Sequence, residues 1–138
     1  GRKEPLQGNE VRLILWTASV EIGTAQPFGL GLGGLEPALS QKLIAWGYPE
    51  QAKKEFNPHN QFLQIWNEIG YIGVLIFLGL LIFINQAFYN KRQLSGLLLS
   101  LVFIVFCLFE SILQRESGIV FFLCWFTALS YWPKNATT

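Results

Sequence analysis

Apolar positions are unevenly spread along the chain. Up to residue 69 they are mixed with charged and polar residues, and from Gly70 they merge into three runs separated by two short polar breaks. These runs predict helices over about 70–89, 94–110 and 117–132. Crossing a bilayer core of about 30 Å takes about 20 helical residues. Soluble core helices are rarely apolar on every side, so three in succession predict membrane spans, with the shorter two extended into their flanks or met by local thinning. The expected class is all-α: a polytopic membrane protein fragment in which an external segment with short helices (residues 1–69) precedes three transmembrane helices (70–134). Residues 135–138 form a cytoplasmic tail.

The polar breaks predict an orientation. Asn90-Lys91-Arg92-Gln93 and Lys134 fall on the same side of a three-span zigzag, and short basic loops stay cytoplasmic. Residues 1–69 and the loop Glu110–Ser117 then share the opposite, external face. Tyr131 and Trp132 suit the aromatic belt at the cytoplasmic boundary. Gly1–Gly8 is polar and lacks the apolar core of a signal peptide.

Within the external segment, Asn9 is placed to cap a helix over Val11–Ile22 that Gly23 and Pro27 end. A glycine-rich turn, Pro27–Gly34, leads to a helix over Glu36–Trp46, with Pro37 at its first position and Gly47 at its end. Pro49–Phe56, with its four charges, reads as a solvated face. Asn57 and Pro58 supply the cap and first position of a new helix. No breaker interrupts it before the end of the first span, giving roughly 30 residues and 45 Å. Asn60, Gln64 and Glu68 form a polar stripe along it, and Gly70 and Gly73 permit close helix contact.

Composition supports this picture. Hydrophobic residues are 51%, aromatic residues 15% and charged residues 14% of the 138, where soluble domains carry about 25% charge. The apolar content excludes disorder, and a net charge of +1 gives no support to nucleic-acid binding. Methionine is absent, so the expectation is a piece of a longer chain with further transmembrane helices upstream, inactive as this piece alone.

Candidate chemistry gathers on the external face. Gly29-Leu-Gly-Leu-Gly-Gly34 fits the letter of a dinucleotide fingerprint, but a proline precedes it and no βαβ unit surrounds it. A turn hugging a helix or a polar ligand is the better reading. Cys107 and Cys124 lie in different spans without ligand spacing and read as core thiols. With one histidine and no aspartate, no metal site is expected. Asn135-Ala-Thr137 matches a glycosylation acceptor but falls on the cytoplasmic side. His59 is expected in the first turn of its helix, where a neutral imidazole can accept a proton and the helix end can hold an anion. Arg12, near the start of the first helix, opposes its dipole and needs a partner elsewhere. Glu110, Arg115 and Glu116 sit at the membrane rim, where charges are costly unless paired or functional. Such a set suits a diphosphate-bearing substrate and a hydroxyl that needs activation; ordinary surface roles for each residue remain the plain alternative.

Three segments carry a resemblance: Arg12-Leu-Ile-Leu-Trp16, Pro27-Phe-Gly-Leu-Gly-Leu-Gly33, and His59-Asn60-Gln-Phe62-Leu63 with Glu68 and Gly70. In order and approximate spacing they resemble the O-antigen ligase and polymerase family over roughly Gly8–Gly73. The resemblance implies a multi-pass glycosyltransferase of the bacterial inner (cytoplasmic) membrane, active on its periplasmic face among membrane lipids. It moves glycan from an undecaprenyl-diphosphate carrier to an acceptor, the lipid A core or a growing polysaccharide, without a metal or other cofactor. It assigns His59 to activation of the acceptor hydroxyl and Arg12 to the diphosphate. Asn60, Glu68 and Glu110 are supporting residues, and Arg115 is a second diphosphate candidate on topology alone. Ligase, polymerase and protein-glycosylating members share these features. A non-enzymatic transporter or exporter subunit for a polar solute or polysaccharide is the competing reading, though transporters place polar groups at mid-membrane. A membrane-anchored binding module is the third.

Overall fold

The computed structural model describes residues 8–54 and 57–131. Expectations for Gly1–Gln7, Glu55, Phe56, Trp132, Lys134 and the tail 135–138 lie outside the described residues. The described chain is helical throughout, in the order α1 (Asn9–Ala25), α2 (Leu35–Ala45), α3 (Pro49–Ala52), α4 (Gln61–Ile69), α5 (Tyr71–Asn90), α6 (Leu94–Phe109) and α7 (Glu116–Tyr131). A 3-10 turn, Ile112–Gln114, joins the last two.

Two apolar cores result. The first joins α1 to α2 and α3: Leu15, Ala18 and Ile22 pack against Leu35, Leu39 and Leu43. Lys42 bridges to Glu21 at 2.6 Å across this layer. The segment read as a wholly solvated face, Pro49–Phe56, contains α3, which buries Gln51 and Ala52 beneath α2. Lys53 and Lys54 do face outward, with Lys53 3.4 Å from Glu50. The second core joins α4 to α5, α6 and α7 through Ile65, Phe77, Leu81, Phe103, Cys107 and Phe122.

α5 and α6 run antiparallel. Phe88 lies over Gly96, and Asn85 Nδ2 donates to Ser100 Oγ at 2.7 Å. A buried Gly and Ser let the helices approach closely. α7 packs on them through stacked aromatics, with Phe103 and Phe122 4.3 Å apart, and Gln93 Nε2 donates to Leu129 O at 2.6 Å. Of the three expected spans, α5 alone, with 20 residues, is long and apolar enough to cross a membrane. α6 and α7 are apolar but shorter, at 16 residues each. Cys107 is buried as expected, whereas Cys124 is exposed and is no core thiol.

The single long helix expected from Pro58 onward does not form. It breaks at Gly70, whose φ of 88° is open to glycine and strained for other residues. The cause lies in the glycine turn. Leu30 N–H takes the carbonyl of Asn67, Gly31 N–H takes that of Glu68, and Tyr71 N–H turns to Pro27 O. The acceptors that would extend the helix are therefore occupied. The chain reverses, and α4 lies antiparallel against the first turns of α5: Phe62 meets Phe77 at 5.5 Å, and Ile65 faces Gly73. The helix start also differs from expectation. Asn60, not Asn57, is the N-cap, its side-chain oxygen accepting from Phe62 N and Leu63 N at 3.0 Å each. The Pro58 carbonyl, which a helix starting there would use, is taken by Trp16 Nε1 at 2.7 Å.

Candidate functional site around His59 and Glu110

His59 stands just outside α4 rather than in its first turn. Its φ is 46°, a left-handed conformation for which histidine is among the more tolerant side chains. Asn57 Oδ1 accepts from His59 N at 2.9 Å and fixes this turn. The ring then meets Glu110, the residue that ends α6: Nδ1 lies 3.1 Å from Glu110 Oε2. A carboxylate only accepts, so the proton of this contact sits on Nδ1; in the neutral ring Nε2 then carries the lone pair. Both side chains are partly exposed, 30% for His59 and 43% for Glu110, so the pair is open to the surface.

The pair is held by a small polar network. Asn60 Nδ2 donates to Leu108 O at 3.0 Å, and Asn60 N donates to the buried Ser111 Oγ at 3.3 Å. Leu113 N donates to Gln61 Oε1 at 2.8 Å, and Asn57 Nδ2 to Gln114 Oε1 at 3.1 Å. The loop after α6 is thus docked on the start of α4. Of the expected polar stripe, Asn60 and Gln64 are buried rather than solvated, and Glu68 sits at the far end of α4, about 13 Å along a nine-residue helix. There its carboxylate accepts from Gly33 N at 3.0 Å.

Neither of the two arginines touches the pair. Arg12, half-buried on α1, lies one turn before Trp16, whose indole is bonded to the residue preceding His59. Arg115, exposed, directly follows Gln114, which is bonded to Asn57. Among the described residues neither guanidinium has an ion-pair or hydrogen-bond partner, including the partner expected for Arg12. Among the described residues no three histidine, cysteine or acidic side chains gather to hold a metal.

A largely apolar groove of about 650 Å³ opens beside this end of α4, running from Phe62 between α5 and α6 to Asn85 and Tyr89. Chemically, the site offers an imidazole in contact with a carboxylate, with an apolar groove starting at Phe62 beside it. Sequence reading missed Trp16 as an anchor for the His59 turn, and missed Ser111, Gln61 and Gln114 altogether. Trp16 and Gln61 at least fall within the segments that carry the family resemblance, though no role is read for either; Ser111 and Gln114 do not. Those two are single polar residues beside apolar runs, and nothing local marks them.

A family model described as O-antigen ligase matches residues 3–78, more than half of the chain. No curated protein and no solved structure matches it.

Proposed function

The chain belongs to the O-antigen ligase family, and from that premise we propose that it transfers glycan from an undecaprenyl-diphosphate carrier to an acceptor hydroxyl on the lipid A core or a growing polysaccharide. The family is one of glycosyltransferase-like ligases and polymerases in the bacterial inner membrane. In this reading α5, α6 and α7 are spans, upstream helices of the same protein complete the enclosure, and the His59–Glu110 pair is reached from the periplasmic side. The apolar surface of α5–α7 supports it: Leu75, Ile76, Leu80 and Ile82 on α5 and Leu101 on α6 are all more than half exposed.

The contact between His59 and Glu110 carries the proposal. The acceptor oxygen attacks the anomeric carbon, the bond from that carbon to the diphosphate breaks, and the hydroxyl proton passes to His59 Nε2. Glu110 keeps the ring in the tautomer that can receive it and stabilises the imidazolium formed. Arg12 and Arg115 offset the negative charge on the departing diphosphate, with no metal required. The groove below Phe62 suits the polyprenyl chain. Asn60 and Glu68 act as positioning residues at the two ends of α4. The left-handed backbone of His59 itself, at φ 46°, is a further functional pointer.

The test is transfer by His59→Gln and His59→Asn in the full-length protein. Asparagine tolerates the left-handed conformation, so its loss of activity is not a folding effect. Each is expected to cut transfer by roughly 10²–10⁴-fold at unchanged levels of folded protein. Wild-type transfer by either would remove His59 from the chemistry.

A further inference from the structure

The glycine turn Pro27–Gly34 is not consumed by the chemistry at the other end of α4, and its surface is unusual. Phe28 is 71% exposed and Leu32 82%, with Leu30 partly exposed between them. No charged residue occurs between Glu21 and Glu36. The tips continue an apolar surface rather than standing alone: the Phe28 ring lies 5.4 Å from that of Tyr71, and Ile69, Ile72, Leu75 and Ile76 are all exposed along the adjoining helices.

The backbone of the turn is also prepared for a poorly hydrated setting. Gly29 N–H donates to Gln26 O, Leu30 to Asn67 O, Gly31 to Glu68 O and Gly34 to Gly31 O. Gly33 N–H donates to the Glu68 carboxylate. Of the N–H groups from Phe28 to Gly34, all but those of Phe28 and Leu32 are donated within the protein, which lowers the cost of entering the edge of a bilayer, where no water is present to take them. Exposed apolar tips of this kind have no use on a purely aqueous face.

We propose that the turn Pro27–Gly34 dips into the outer leaflet of the lipid bilayer, with Phe28 and Leu32 as its apolar tips. This rests on the reading of α5 as a membrane span, because the turn is continuous with the exposed start of that helix. Phe28 and Tyr71 then sit at interfacial depth, where aromatic rings are favoured. Through its bonds to Asn67 and Glu68 the dipped turn fixes the height of α4, and so the height of His59 relative to the lipid phosphates.

Spin labels test this in the full-length protein reconstituted in phosphatidylcholine vesicles, with Cys107→Ala and Cys124→Ala removing native thiols. One label is placed at Leu32→Cys, a second at Leu80→Cys on α5 and a third at Gln41→Cys on α2. Accessibility to oxygen, which concentrates in lipid, is compared with accessibility to a water-soluble nickel chelate. The expected result is oxygen-dominated relaxation at 32, as at 80, against nickel-dominated relaxation at 41. Nickel-dominated relaxation at 32 with oxygen dominance at 80 overturns the proposal and leaves the span intact. Protection from both reagents at 32 means protein covers the turn and overturns it equally. Nickel dominance at 80 removes the span, and the proposal with it.

Discussion

The two ends of α4 are fixed by opposite means. At its start the contacts run through side chains: Asn57, Asn60, Gln61 and His59 reach the loop that follows α6. At its end they run through backbone: the carbonyls of Asn67 and Glu68 are bonded to Leu30 and Gly31. A Cβ on Gly29 would lie 2.5 Å from Glu68 O, and one on Gly70 2.5 Å from the carbonyl carbon of Phe28. The difference separates tasks. The end held chiefly by backbone, with the Glu68 carboxylate on Gly33 N added, sets where the helix stops, and the end held by side chains presents groups that can move a proton.

That division is open to attack at both ends. The largest effect is expected from Gly70→Ala, which combines a strained φ with a backbone clash and should cost about 3 kcal/mol or more. Gly31→Ala, at φ 89° but in open space, should cost only about 1 kcal/mol. Thermal unfolding of the purified protein compares them, and equal losses would show that strain alone, not the close approach, fixes this end. Next comes Glu110→Gln, whose amide lets the ring carry its proton on Nε2. Transfer should fall roughly 10²-fold with the fold retained, and assay beside His59→Gln would show whether the two residues act as one unit. Asn60→Ala removes the cap and the bond to Leu108, for about 1–2 kcal/mol by chemical denaturation. Asn60→Asp should recover the cap share of that loss. The smallest effect belongs to Glu68→Gln, which still offers Gly33 an oxygen and should shift stability by no more than about 0.5 kcal/mol.

Much of the layout is legible in the sequence because apolar run length is a strong signal. The all-helical class, α5 and the start of α6 follow from it, and the glycine turn follows from its composition. The break at Gly70 does not, since the groups competing for the Asn67 and Glu68 carbonyls come from residues 30 and 31, far upstream. The start of α4 is illegible for a similar reason. Asn57-Pro58 and Asn60 are both competent helix starts, and the choice falls to Asn60 once Trp16 claims the Pro58 carbonyl. His59, Arg12 and Glu110 are each recognisable as candidates. Only the reversal at Gly70, by laying α4 back along α5, brings the first and last of them within bonding distance.

The reversal also bears on how the site assembles as the chain folds. His59 and Glu110 are 51 positions apart, a separation that would make their meeting slow if it had to close a flexible loop of that length. Most of the intervening chain is two helical hairpins, α4 on α5 and α5 on α6, each joined by a tight local turn. Once those turns zip, the two residues are brought near each other by neighbours that are close in sequence, and only a short stretch of chain remains to be ordered. A contact that is distant in numbering is thereby reached through a series of local steps.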